Sequence, residues 1–150
     1  MKLLVINGPN INFLGIREQS IYGNVNYETL VDTIKEYAKK NNIDIEVMQS
    51  NHEGVIIDWL QDAYHDNVDG IIINPGAYTH TSIAIMDAIK SIAPIPCIEV
   101  HLSDISTREE FRHISYTALA CVKQISGMGI DGYMLAIDEL LEISRDVDNK

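Results

Sequence analysis

The stretches "KLLVIN" (2–7) and "DGIIINPG" (69–76) place apolar side chains on both alternating sets of positions. A strand of that kind cannot face water on either side, so it has to lie inside a sheet covered on both faces, the setting of parallel strands. "IDIEVMQS" (43–50), "PCIEVHLS" (96–103) and "LACVKQIS" (119–126) read as three further strands. The segments between them have the three- and four-residue apolar spacing of helices. The first carries Tyr27, Leu30, Val31, Ile34, Tyr37 and Ala38 behind Asn26 as a cap. A second covers 54–65 with Ile56, Trp59, Leu60 and Ala63, and a third, over 80–92, is apolar on more than one face through Ile83, Ile85, Met86, Ala88, Ile89 and Ile92. The last runs over 130–145 and leaves "SRDVDNK" as a frayed tail.

Strands alternating with helices require right-handed crossovers, hence a parallel sheet with helices on both faces. Five strands in 150 residues point to an α/β, flavodoxin-like order 2-1-3-4-5, with residues 1–150 as one domain. Neither a linker nor a repeat interrupts the pattern. The net charge of −11 disfavours nucleic acid and anionic membranes as partners, because phosphate contacts need clustered Lys and Arg. No apolar run approaches the roughly 20 residues of a membrane span. The start, "MKLLVINGPN", has the wrong flanks for a signal peptide, so a cytoplasmic location is expected. Cys97 and Cys121 both lie in strand-like apolar runs and read as inert buried thiols.

In this topology a ligand site lies beyond the carboxyl ends of strands 1, 3 and 4, and the polar side chains concentrate there. "NGPNINFLGIREQSIYG" (7–23) carries Asn10, Asn12, Arg17 and Tyr22; "NPGAYTHTS" (74–82) carries Asn74 and His80; "IEVHLSDISTREEFR" (98–112) carries Glu99, His101, Ser103, Arg108 and Arg112. Glu99 and His101 project from the same side of a strand. They fit a structural hydrogen-bonded pair, a metal site with His80 as third ligand, or a histidine whose proton a carboxylate controls for acid–base work. "STREE" reads first as a capping box, with Ser106 and Thr107 each three residues before a glutamate, and so as the start of a helix. That start would bring Arg108 and Arg112 to the mouth of the pocket, where they could hold an oxygen-rich or anionic ligand. Thr79, Thr81 or Ser82 can cap the third helix. "GIREQSIYG" is a glycine-bounded loop of lid length, in which the cation Arg17 favours the phenolate of Tyr22.

Five segments in one order, "INGPNINFLGIRE…IYG", "QSNHEG…IDW", "NPGAYTHTS", "PCIEVHLSDISTREEFRHISY" and "GMGIDGYMLAID", make the chain similar to the type II 3-dehydroquinate dehydratases over nearly its whole length. The resemblance implies a flavodoxin-like fold and removal of water from 3-dehydroquinate to give 3-dehydroshikimate, with no cofactor and no metal. It assigns Tyr22 as the base, with Arg17 and Arg108 favouring its ionised form. Asn10 helps hold a water against the enolate oxygen. His101 is the general acid and Glu99 orients it. Asn74, the backbone of Leu102 and Ser103 take the substrate carboxylate, while His80 and Arg112 take its other hydroxyls. Asp87 corresponds to a residue that the family supplies from a neighbouring subunit, within a homo-oligomer expected to be a dodecamer built as a tetramer of trimers. The sequence departs from the family at Asp104, commonly asparagine, at Ser106, frequently histidine, and in a lid without its usual proline.

Rival readings of the same fold fit the residues less well. A flavin or phosphate module would want a Ser/Thr/Gly-rich loop after strand 1, where "NGPNINFLG" stands. A receiver would want aspartates for magnesium at strand ends that here are Asn7 and Asn74. A non-catalytic assembly protein draws support only from the apolar third helix. Schiff-base chemistry lacks a lysine at the loaded strand ends.

Overall fold

The computed structural model describes residues 1–22 and 24–150; Gly23, which closes the "GIREQSIYG" loop, lies outside them. Five strands, β1 (Lys2–Asn7), β2 (Asp44–Gln49), β3 (Gly70–Asn74), β4 (Cys97–His101) and β5 (Lys123–Ser126), form one parallel sheet in the order β2-β1-β3-β4-β5. The helices are the short α1 (Gln19–Tyr22), α2 (Tyr27–Lys40), α3 (Glu53–His65), α4 (Ile83–Ser91) and α5 (Asp131–Asp148). This is the order expected from the alternation of apolar runs.

The period of two along the central strands decides which helix packs where. Leu3 and Val5 of β1, with Ile72 of β3 and Ile98 and Val100 of β4, point to the face covered by α2 and α5, where they meet Leu30, Ile34, Ala38, Tyr133, Ile137 and Leu140. Leu4 and Ile6, with Ile71, Ile73 and Cys97, point to the opposite face and meet Ile56, Leu60 and Ala63 of α3 and Ile85, Ala88 and Ile89 of α4. Each such side chain contributes roughly 1.5–3 kcal/mol on full burial. Two of the expected caps form: Asn26 Oδ1 accepts from the Thr29 N–H at 2.8 Å, and Ser82 Oγ accepts from the Ile85 N–H at 2.9 Å.

Apart from shifts of one or two residues at other element ends, four boundaries differ from the sequence reading. The third helix begins at Ile83, because residues 76–80 form a 3-10 turn instead. The fifth strand begins at Lys123; residues 117–120 are another 3-10 turn, and Cys121 is half-buried just ahead of the strand. The tail expected to fray continues helical to Asp148. "STREE" starts no α-helix. Asp104 captures the turn first, its Oδ1 accepting from the Ser106 N–H at 3.0 Å and the Ser106 hydroxyl at 2.6 Å, and only the 3-10 turns Ile105–Thr107 and Glu110–Arg112 follow.

At the carboxyl end of β1, Gly8 donates its N–H to Asn74 O at 2.7 Å, and a Cβ there would sit 2.5 Å from the carbonyl oxygen of Pro75. Only a hydrogen lets the loops after β1 and β3 touch. Gly54, in the first turn of α3, has open space where a Cβ would stand, with nothing within 4 Å. Gly8→Ala is therefore expected to destabilise the fold by about 1–3 kcal/mol through overpacking against backbone. Gly54→Ala is expected to stabilise it by about 0.5 kcal/mol. Paired urea melts check both signs, and a neutral Gly8→Ala would refute the close approach.

Candidate active site

The loops leaving β1, β3 and β4 enclose a cavity of about 140 Å³ at the carboxyl end of the sheet. The β1 loop contributes Asn10, Arg17 and Tyr22, the β3 loop Asn74 and His80, and the β4 loop His101, Leu102, Ser103, Arg108 and Arg112. A larger groove of about 280 Å³ beside β2 is lined by Asp44, Glu46, Asp62 and Asp66, with Lys2 as its one base. It brings no histidine or phenol together with a cation-rich wall, so size alone does not choose the site.

Tyr22 ends α1 with its hydroxyl oxygen between two guanidinium groups. Arg17 Nη2 donates to it at 2.9 Å and Arg108 Nη1 at 2.6 Å. The Arg17 guanidinium also lies 4.3 Å from the ring centroid. Two cationic donors aimed at one oxygen stabilise negative charge on it.

His101 ends β4 and Glu99, two residues earlier, projects the same way. Glu99 has no solvent exposure. Its Oε2 accepts from His101 Nε2 at 3.0 Å, Ser115 Oγ at 2.8 Å and Gln124 Nε2 at 2.6 Å; its Oε1 accepts from Thr79 Oγ1 at 2.8 Å and from Thr117 Oγ1. Burial alone pushes this carboxyl up, but hydrogen bonding and charge from His101, with hydrogen bonds from Thr117 and Gln124, pull it down to about 2. The carboxylate holds the proton of Nε2, which leaves Nδ1 as the nitrogen available to the cavity.

Of the three readings of the pair, the structure disfavours the metal site: no three of the described His, Cys, Asp and Glu side chains converge to hold a metal ion. His80 is instead anchored by Nδ1, which donates to Ile114 O at 2.7 Å. A carbonyl can only accept, so His80 Nε2 keeps its lone pair. Burial first, then the charges of His101 and Arg112, lowers the His80 pKa against the opposing Ile114 hydrogen bond and Glu99. Arg112 Nε donates to Glu109 Oε2 at 2.6 Å.

Most sequence-predicted residues meet in this cavity, with three exceptions: Glu99 stands behind His101, Asn12 turns to Gln49 Nε2 at 3.2 Å, and Asp87 lies exposed on α4, away from the cavity. Ser103 also differs from expectation: β4 stops at His101, so Ser103 reaches the cavity from a bend and not from the strand face. Sequence reasoning misses Thr79, Ser115, Thr117 and Gln124 as the surroundings of Glu99. Register could have found Gln124, which pairs directly with Glu99 across β4 and β5.

A carboxyl whose pKa is lower folded than unfolded adds stability above the unfolded value, and that stability is lost as pH falls through the folded value. For Glu99 the window runs from about 4.5 down to about 2. Glu99→Gln is expected to be less stable than the wild type at pH 7 by on the order of 3 kcal/mol. That gap should close as pH falls through the window. Denaturant melts from pH 7 to 2 check it, and a gap constant with pH would refute the role.

A family model described as dehydroquinase class II matches residues 1–141. The 3-dehydroquinate dehydratase of Clostridium acetobutylicum is 63% identical over 140 residues, covering 93% of this chain and 96% of that protein. That of Lachnospira eligens is 56% identical over 144 residues, covering 96% and 98%. The crystal structure of type II dehydroquinase from Butyrivibrio crossotus superposes with a TM-score of 0.93 at 62% identity, covering 93% of this chain and 97% of that one. With sheet order, cavity and sequence in agreement, the chain belongs to the class II dehydroquinase family.

Proposed function

We propose that this chain, acting as one catalytic unit, dehydrates 3-dehydroquinate to 3-dehydroshikimate through an enolate, as a hydro-lyase of the shikimate pathway or of quinate breakdown, which share this step. The observation that carries the reading is the Tyr22 oxygen held by Arg17 and Arg108. A phenolate so placed can take the C2 proton beside the ketone, leaving charge on the enolate oxygen, against which Asn10 helps hold a water. The enolate then collapses to form the C1–C2 double bond. The C1 hydroxyl leaves as water with the proton of His101 Nδ1. Glu99 is the counter-ion of that imidazolium and fixes its ring. The cycle closes when a proton returns to His101 and one leaves Tyr22, with solvent as the carrier.

Asn74, the Leu102 backbone and Ser103 receive the carboxylate, and His80 and Arg112 receive the ring hydroxyls. The His80 Nε2 lone pair suits a hydroxyl donor. No helix among the described residues is long and apolar enough to cross a membrane. We assign the reaction to the cytoplasm.

The test is conversion of 3-dehydroquinate by the pure protein in EDTA, followed through the ultraviolet absorbance of the conjugated product. Tyr22→Phe is expected to lower kcat by about 10³-fold or more while the substrate still binds. It should also abolish exchange of the substrate's C2 proton with deuterated solvent. Near wild-type exchange in Tyr22→Phe would assign the base to another residue.

We further propose assembly into trimers and a dodecamer, with Asp87 completing a neighbouring site. The support is apolar surface: α4 packs beside the turn 117–120, and Ile83 and Leu119 on these segments, with Val122 just ahead of β5, stand exposed. Sedimentation is expected to show an oligomer at assay concentration, and a fully active monomer would refute the assembly.

A further inference from the structure

Asn7 and Asn74 are the last residues of β1 and β3 and pair in register. Both are buried, and between their side chains stands Tyr133 of α5, with no solvent exposure. Its hydroxyl donates to Asn7 Oδ1 at 2.7 Å and accepts from Asn74 Nδ2 at 2.9 Å. At the other side of the same carboxamide, Asn74 Oδ1 accepts from the Gly76 N–H at 3.2 Å.

This chain of hydrogen bonds has one consistent direction. A backbone N–H can only donate, so Asn74 must turn its oxygen to Gly76 and its nitrogen to Tyr133. The phenolic oxygen accepts there, and its own proton goes to Asn7. One Nδ2 hydrogen of Asn74 is thereby used and one lone pair of its oxygen is engaged by Gly76, so the second Nδ2 hydrogen is the one donor that this cavity-lining carboxamide has left for an anionic ligand. Asn7 Nδ2 has no hydrogen-bond partner among the described residues. The Tyr133 hydroxyl is therefore the one group among the described residues that bonds to both strand-end amides, and for Asn74 it works together with the Gly76 N–H.

We propose that Tyr133 is a positioning residue that fixes the Asn74 carboxamide as a hydrogen-bond donor toward the substrate carboxylate. The inference rests on the assignment of Asn74 to that carboxylate under Proposed function. A phenylalanine would fill the same space without holding the amide. Tyr133 acts through Asn74 and not on the reacting carbons, so its loss belongs in KM and in preference for a carboxylate, not in kcat.

The test compares inhibition by 3-dehydroshikimate with inhibition by its methyl ester, which keeps the shape and removes the charge. Tyr133→Phe is expected to weaken the acid about tenfold and the ester less than about twofold, with kcat within about threefold of wild type. Equal weakening of both ligands would mean a general structural effect and would overturn the inference. So would no weakening of either. Asn74→Ala is expected to lose the preference for acid over ester, and Tyr133→Phe should then add nothing in that background. If Asn74→Ala abolishes the preference and Tyr133→Phe spares it, only the inference about Tyr133 fails; if Asn74→Ala spares it, the assignment of Asn74 itself fails. A readout that does not depend on the variant's folding is the wild-type Tyr133 hydroxyl proton. It should give a slowly exchanging NMR signal with contacts to both asparagine side chains, and its absence would overturn the inference.

Discussion

Glu99 sits without solvent exposure inside a parallel sheet, and an ionised carboxylate is tolerable there because five donors surround it. Those donors come from stretches far apart in sequence: Thr79 after β3, Ser115 and Thr117 after the arginine-bearing turns, and Gln124 on β5. Meeting the demand of one carboxylate therefore fixes where these segments lie. The Tyr116 N–H bonds to Thr79 O at 2.8 Å, so the segment that carries Ser115 and Thr117 is stitched to the turn that carries His80. The group that orients His101 also gathers two walls of the cavity, and disturbing any member leaves the others partly unsatisfied in a low dielectric.

The layered architecture was legible because burial on both faces leaves an unambiguous pattern: runs such as Ile71–Ile73 admit no solvent-facing side. Boundaries were less legible where local side-chain chemistry competes. The capping box in "STREE" is a real signal, but Asp104 lies ahead of it and takes the Ser106 N–H first. β5 opens with exposed Lys123 and Gln124 at the sheet edge, so its buried content amounts to little beyond Ile125, and composition alone draws the preceding apolar residues into the strand.

The candidate site was legible at the strand ends, where Asn74 and His101 interrupt apolar runs. Its support was not. Ser115, Thr117 and Tyr133 lie in segments where hydroxyl-bearing residues are ordinary, and only the fold shows that they converge on Glu99 and on the strand-end asparagines. Tyr133 in particular reads as one more apolar position at helical spacing, because its ring does pack in the core. The hydroxyl at its tip is what the periodicity could not report.

Charge is distributed as unevenly as burial. The chain carries a net charge of −11, yet three of its four arginines, Arg17, Arg108 and Arg112, line the cavity. The opposite end of the sheet presents Asp44, Asp62 and Asp66. An anion is thus repelled from one end of the strands and drawn to the other. The three cations are not equivalent. Arg112 is bound to Glu109, and Arg17 also contacts Glu18 at 3.2 Å, whereas Arg108 has no carboxylate within salt-bridge distance among the described residues. Arg108 therefore keeps its charge for the Tyr22 oxygen, and a substrate carboxylate that bound it would divert that charge. Receiving the carboxylate on neutral donors, the role proposed above for the Asn74 amide and the backbone beyond β4, would avoid the competition. On that proposal the strand-end amides have a reason to be buried and rigidly held, while the Arg17 and Arg108 guanidinium groups remain committed to the phenol.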